Sequence, residues 1–340
     1  MSDINTTSES GASKPPDSAF RGDNAWAPPI EFSDKEQSQA EMTDYISASL
    51  ERFSNIGSDH EPPGTRSLFT EWLETQAQFH TRSWRNTLLI HGQFPTATKI
   101  RDYDSWAEES VQVNAESSAI WQWDPIYAKA CPQCGESLSY HKDGLVDCAY
   151  HVDSHPEYWS VDVVGTRPAP YFDVSQTSVL LGTAAEAGSP LSSITPIGVA
   201  NVITESATRK GYEVRTVSPS SADFGGEGAV RRDVLSFSPV IWIAEGDSDE
   251  EAYRLLKYYT IADEQARDGE LDATDRMFAH SVAAGVASQL NIPYPAEDIE
   301  MELLGDTAAD VEGSLSAISN RMENMMTRFQ HIGAQLREQM

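Results

Sequence analysis

Residues 79–106 read FHTRSWRNTLLIHGQFPTATKIRDYDSW, and this stretch decides how the first half of the chain folds. Ser83 stands where a helix N-cap is needed, ahead of WRNTLLIHG, and Gly92 and Pro95 mark where that helix ends. Upstream, DKEQSQAEMTDYISASLERF (34–53) places Met42, Ile46, Leu50 and Phe53 at helical spacing, and a second helical pattern runs from Ser67 to about Phe79. Downstream, AIWQW (119–123) alternates and is aromatic, so it reads as a strand. Residues 131–165 form a Cys/His-rich insert. After it come YFDVSQTSVLL, a helix over about 196–210, the short strand YEVRTVS, the Gly-rich loop ADFGGEGA and the buried strand PVIWIA. Two helices follow, over about 248–266 and 271–291. The fold class is α+β.

The same stretch carries the chemistry. From Thr75 to Arg101 there is no acid, although the 340 residues include 53 acids and carry a net charge of −29. Within or just beyond this island lie His80, Arg82, Trp84, Arg85, Lys99, Arg101, Tyr103 and Trp106. Arginines among aromatics suit single-stranded nucleic acid: bases stack on rings and guanidinium groups meet phosphates, neither depending on base sequence. Asn86 is expected to fix local geometry by hydrogen bonding rather than to touch DNA. The acidity of the rest, with 39% hydrophobic residues and eight tryptophans, marks a folded, salt-adapted chain. In molar salt the Debye length is about 3 Å, so self-repulsion is screened.

Phe79, His80, Ser83, Asn86, Leu88, Leu89, Ile90, Gln93, Pro95, Ala97, Thr98, Tyr103 and Trp106 match in order and spacing the signature of the ArdC-type N-terminal domain, which residues 66–126 therefore resemble. The resemblance implies single-stranded DNA binding, and in some relatives protection of incoming DNA from restriction. Two departures stand out. The family's tyrosine before the serine is Arg82, and its basic Val-x-Lys-Gly-Glu-Lys stretch has become VNAESSAIW (113–121).

The insert reads CPQCGESLSYHKDGLVDCAYHVDSHPEYW (131–159). Cys131 and Cys134 have the Cys-x2-Cys spacing that offers two thiolates to tetrahedral zinc, and Cys148 is a third. For the fourth ligand, spacing favours His151, whereas a Ser-Tyr-His in similar inserts of halophilic relatives favours His141. A structural zinc would staple a loop with little core of its own. His151 and His155 mimic a peptidase spacing, but Val152 replaces the glutamate base and Pro156 follows, so no catalytic motif is present.

Beyond the insert, PAPYFDVSQT (168–177) and the strands after it resemble the ImmA/IrrE-like metallopeptidase domain. Where that family carries His-Glu-x-x-His, this chain has Lys257, Tyr258, Tyr259, Thr260 and Ile261, and His280 falls near the third ligand. A protonated lysine and an isoleucine cannot ligate zinc, so the resemblance implies a zincin-like domain without catalytic metal or peptidase activity.

The expected layout is a disordered tail over 1–33, an ArdC-like domain over 34–130, the insert over 131–165, a degenerate metallopeptidase-like domain over 166–304 and a C-terminal helix over 305–340. In that helix Leu315, Ile318, Met322, Met325, Phe329, Ile332 and Leu336 alternate three- and four-residue steps, either to dock on its own chain or to self-associate over 307–338. No apolar run suits a membrane and the N-terminus has no secretory pattern, so a cytoplasmic protein is expected. Its function reads as non-enzymatic single-stranded-DNA binding for a mobile element. A protein-interaction scaffold is the first alternative, and a peptidase with an unrecognised site the second.

Overall fold

The computed structural model describes residues 35–148, 158–179, 198–218, 228–232, 239–268, 271–296 and 299–339. The expected tail and His151 lie outside them. Among the described residues the chain is mixed α+β. The first half comprises α1 (Lys35–Ser54), α2 (Thr65–Gln78), α3 (Trp84–Gln93), β1 (Ile100–Asp102), α4 (Tyr103–Glu108), β2 (Ile120–Ala130), α5 (Leu138–Lys142) and β3 (Ser160–Asp173). The second comprises α6 (Val199–Arg209), β4 (Glu213–Val217), β5 (Gly228–Arg232), β6 (Pro239–Ala244), α7 (Ser248–Asp268), α8 (Ala273–Gln289) and α9 (Ala308–Glu338).

One sheet has the order β1-β3-β2, antiparallel throughout. The other has the order β4-β6-β5, with β4 parallel and β5 antiparallel to β6. Strand β2 runs well past AIWQW, through Pro125, which gives no N–H to a ladder and is tolerated at a strand edge. Its partner β3 begins at Ser160, so the last residues assigned to the insert are strand. The register runs from Ile120↔Tyr171 to Ala130↔Ser160 and shifts at Ile126/Tyr127, leaving Val164 as the extra residue of a bulge. Of the expected Gly-rich loop, residues 222–227 lie outside the described residues, and Gly228 opens β5. A Cβ there would lie 2.4 Å from the Tyr258 ring and 2.6 Å from the Trp242 carbonyl oxygen, so only glycine fits.

A single apolar core joins α1–α3 with α6–α9, and Phe53, Trp72, Leu88, Tyr259, Val282, Met322 and Phe329 are each no more than 1% exposed. The intervals 34–130 and 166–304 both contribute to it. Helix α9, capped by Thr307, packs on α1, α6 and α8 and buries Leu315, Ile318, Met322, Met325, Phe329 and Ile332. Six of the seven stripe residues are therefore covered within the chain, and Leu336 is half-buried. A smaller cluster of Ile90, Ala97, Ile100, Ile120 and Tyr171 lies between α3 and the first sheet.

Candidate nucleic-acid interface and metal centre

Helix α3 starts at Ser83, whose hydroxyl accepts the Asn86 N–H at 3.4 Å. Asn86 and Gln93 then address the outer edge of β2. Asn86 donates to the Trp123 carbonyl at 2.9 Å and accepts its N–H at 2.8 Å. Gln93 does the same for Trp121, at 2.9 and 2.8 Å. Seven helical residues rise about 10.5 Å and two strand residues about 6.8 Å, and the two flexible side chains span the difference. The edge of β2 is thus occupied by side-chain amides instead of another strand. The turn before β1 is held by buried Asp173, whose carboxylate accepts the Thr98 and Lys99 N–H groups at 2.7 and 2.9 Å.

Of the residues expected at a DNA surface, three are inside. Trp84 is 4% exposed and Trp106 1%, and the Trp106 indole N–H donates to the Phe172 carbonyl at 3.0 Å, so neither ring can take a base. His80 is 6% exposed, and burial holds its imidazole below the usual histidine range against the pull of the Ala77 carbonyl and Glu323. A buried neutral imidazole meets no phosphate.

The cations lie nearer the surface and each has a partner. Arg82 stacks 4.8 Å above the Tyr171 ring, whose hydroxyl donates to Asp124 at 3.0 Å. Arg85 lies over Trp84 at 4.8 Å and pairs with Glu312 of α9. Lys99 and Arg101 both sit 5.4 Å from the Trp106 ring centre and both reach Glu109. Tyr103 is 56% exposed.

Sequence reading missed the other exposed apolar residues. Tyr127, Val161 and Val163 stand on the distal half of the β2–β3 ribbon, with Tyr140, Leu145 and Tyr158 on the insert. For Val161 and Val163 the strand alternation is hidden in the sequence by Gly165, Pro168 and Pro170, which read as loop residues.

At the tip of this ribbon the chain turns through Cys131. The Cys131 carbonyl accepts the Gly135 N–H at 2.9 Å, and Gly135 holds a φ of 78° that suits glycine. Ser137 then caps α5, which carries His141 to within 3.2 Å of the Cys134 sulfur. The ligand atoms of Cys131, Cys134, His141 and Cys148 all lie within 4.8 Å of one another. Tetrahedral zinc, with Zn–S near 2.3 Å, spaces its ligand atoms by about 3.8 Å, so these four fit an ion after small adjustments. Burial raises the proton affinity of Cys131, but the N–H groups of Cys134 and Gln133, with the Cys134 and Cys148 thiols beside it, outweigh burial and hold the thiol below its ordinary value. Trp159 stands edge-on to the His141 ring at 5.1 Å.

The four residues at the expected peptidase position form no such group. Lys257, Tyr258 and Ile261 are half-buried on α7, and His280 is half-buried on α8. Between them, Tyr259 points into the core, where its hydroxyl meets Ser206 at 2.7 Å and Arg328 at 2.5 Å, and Asp263 pairs with Lys210 and Arg328. Among the described residues, the Cys131 tetrad is the one cluster of three or more His, Cys, Asp or Glu side chains placed to share an ion.

Fold and site together define a mixed α+β protein with a Cys3His tetrad at the end of a β-ribbon. Among solved structures it is similar to the metal-free crystal structure of the antirestriction protein ArdC from the R388 plasmid. The two share 13% identity over 86% of this chain and 97% of that one, with a TM-score of 0.45. No protein-family profile matches the sequence, and no curated protein matches it. Among the described residues no helix is long and apolar enough to cross a membrane.

Proposed function

We propose that this chain is a cytoplasmic, non-enzymatic single-stranded-DNA-binding protein serving DNA transfer or protection in a mobile element. The supporting observation is the acid-free segment 75–101, which sets Arg82, Arg85, Lys99 and Arg101 at or near the surface of a chain of net charge −29. The ArdC-type signature over 66–126 agrees with it. Cys131, Cys134, His141 and Cys148 hold a structural zinc in this reading. The 166–304 region is a metallopeptidase-like scaffold in which Lys257, Tyr258, Ile261 and His280 replace the catalytic set. The exposed face of Tyr127, Val161 and Val163 favours a second reading, a protein-interaction scaffold.

The test is fluorescence anisotropy with a labelled single strand of about 30 nucleotides, several binding sites long, in molar potassium chloride beside the same strand as duplex. Wild type should prefer the single strand, and Arg82→Ala/Arg85→Ala should weaken binding by about tenfold or more. A folded wild type that ignores both probes would falsify the DNA reading and leave the scaffold.

Pairing of these cations gives a second expectation. Glu109 neutralises Lys99 and Arg101 in the free protein, so a phosphate must displace it. Glu109→Gln should bind the strand several-fold more tightly, with a steeper loss of affinity as salt rises. Unchanged affinity and slope would remove β1 from the interface.

A further inference from the structure

We propose that the cleft beside the Thr81–Asn86 turn receives an unpaired nucleobase of the bound strand, an assignment that rests on the single-stranded-DNA reading above. The cleft measures about 710 Å³, within the roughly 300–1,000 Å³ of sites that hold small organic ligands. Its apolar walls are Ile46 and Leu50 of α1 with Trp123 and Pro125 of β2. Trp123 is half-buried and packs partly on the main core, and Asn86 holds both its N–H and its carbonyl. It is a fixed aromatic surface, which is what a stacking base requires and what buried Trp84 and Trp106 do not supply.

The polar lining suits a base of any identity. Thr81 and Thr166 bring hydroxyl groups, which donate or accept by rotating, while Thr43 and Ser47 donate theirs to the Gln39 and Thr43 carbonyls at 2.8 and 2.9 Å and offer only lone pairs. They can therefore satisfy the edge of a purine or a pyrimidine without choosing between them. Arg82 and Arg85 also line the cleft, where they can meet the phosphates on either side of an inserted base. The first turn of α3 also contains no acid, and its N-cap Ser83 lines the cleft. Glu312 is the one acid in the lining and is already paired with Arg85, so two cations face one anion in a chain of net charge −29. An apolar peptide would leave the guanidinium groups desolvated, whereas a nucleotide uses both kinds of wall.

The test compares two labelled strands of equal length, one ordinary and one abasic, carrying sugar and phosphate without bases. Three proteins are used: wild type, Ser47→Leu/Thr166→Leu, which narrows the cleft from two exposed positions, and Trp123→Met, which removes the ring but keeps the backbone clasp. Circular dichroism and thermal midpoints establish that each variant is folded. Wild type should bind the ordinary strand about tenfold more tightly than the abasic one, the worth of about one stacked base. Both variants should lose that preference while binding the abasic strand as wild type does. If the variants keep the wild-type preference, bases stack elsewhere, on Tyr103 or the ribbon tyrosines, and the cleft assignment is wrong while DNA binding stands. If wild type binds neither strand, the DNA reading fails and the cleft assignment with it.

Discussion

Replacing Cys131 with serine should strip the zinc from the chain and melt the tip of the ribbon, while the helical core stays folded. The tip has little else to hold it. Among the described residues its buried apolar side chains are Ala130, Cys131 and Trp159, and none of them belongs to either hydrophobic cluster. In the proposed zinc site, four ligands from one short segment would supply most of its order. Structural zinc of this type binds with apparent free energies of about 10–16 kcal/mol, and that energy is folding energy for the segment it closes. Metal analysis should find about one zinc per wild-type chain and close to none in Cys131→Ser, and cobalt substitution should give the intense visible bands of a tetrahedral thiolate site. Amide exchange should accelerate over residues 131–145 and stay slow over 84–93. A Cys131→Ser protein that keeps a full complement of zinc would rule out this ligand set. Metal loss in His151→Ala, with none in His141→Ala, would move the fourth ligand to His151.

The second large effect belongs to Asn86. Asn86→Ala removes a donor and an acceptor at once and leaves the N–H and carbonyl of Trp123 without their partner. An unsatisfied buried polar group costs about 1–3 kcal/mol, and because these two are part-buried chemical denaturation should show a loss of about 1–3 kcal/mol in total. Asn86→Asp should be no better than alanine, because one carboxylate oxygen would then face the Trp123 carbonyl. Gln93→Ala should lose a comparable amount through Trp121. A loss below about 0.5 kcal/mol in Asn86→Ala, the scale of an ordinary surface substitution, would mean that packing alone holds β2 against α3.

How far the sequence could be read depends on which signal each element carries. Helices α1–α3 were legible because Met42, Ile46, Leu50 and Phe53 repeat at helical spacing and Ser83 caps at the right place. Strand β3 was not. Its Gly165, Pro168 and Pro170 look like loop residues, and only pairing with β2 makes them strand. In the candidate site the cations were found, but composition could not separate buried rings from exposed ones. The clue for Trp84 was available, since it lies four residues before Leu88 on the apolar face of α3. For Trp106 no local pattern announced burial, because its cover comes from Lys99, Arg101 and the distant Phe172. The thiolates were legible from spacing, whereas the imidazole at their side needed the turn at Gly135 and helix α5 to be placed.

The clasp of Asn86 and Gln93 on β2 also has a mechanical meaning. Four hydrogen bonds join one helix face to two residues of one strand. A pull along the axis of β2 would load all four together, in shear, so none could fail until the group did. A pull at right angles would peel Trp123 away first and then Trp121, one pair at a time. The ribbon is therefore a stiff lever toward forces along its length and a weak one toward forces across it.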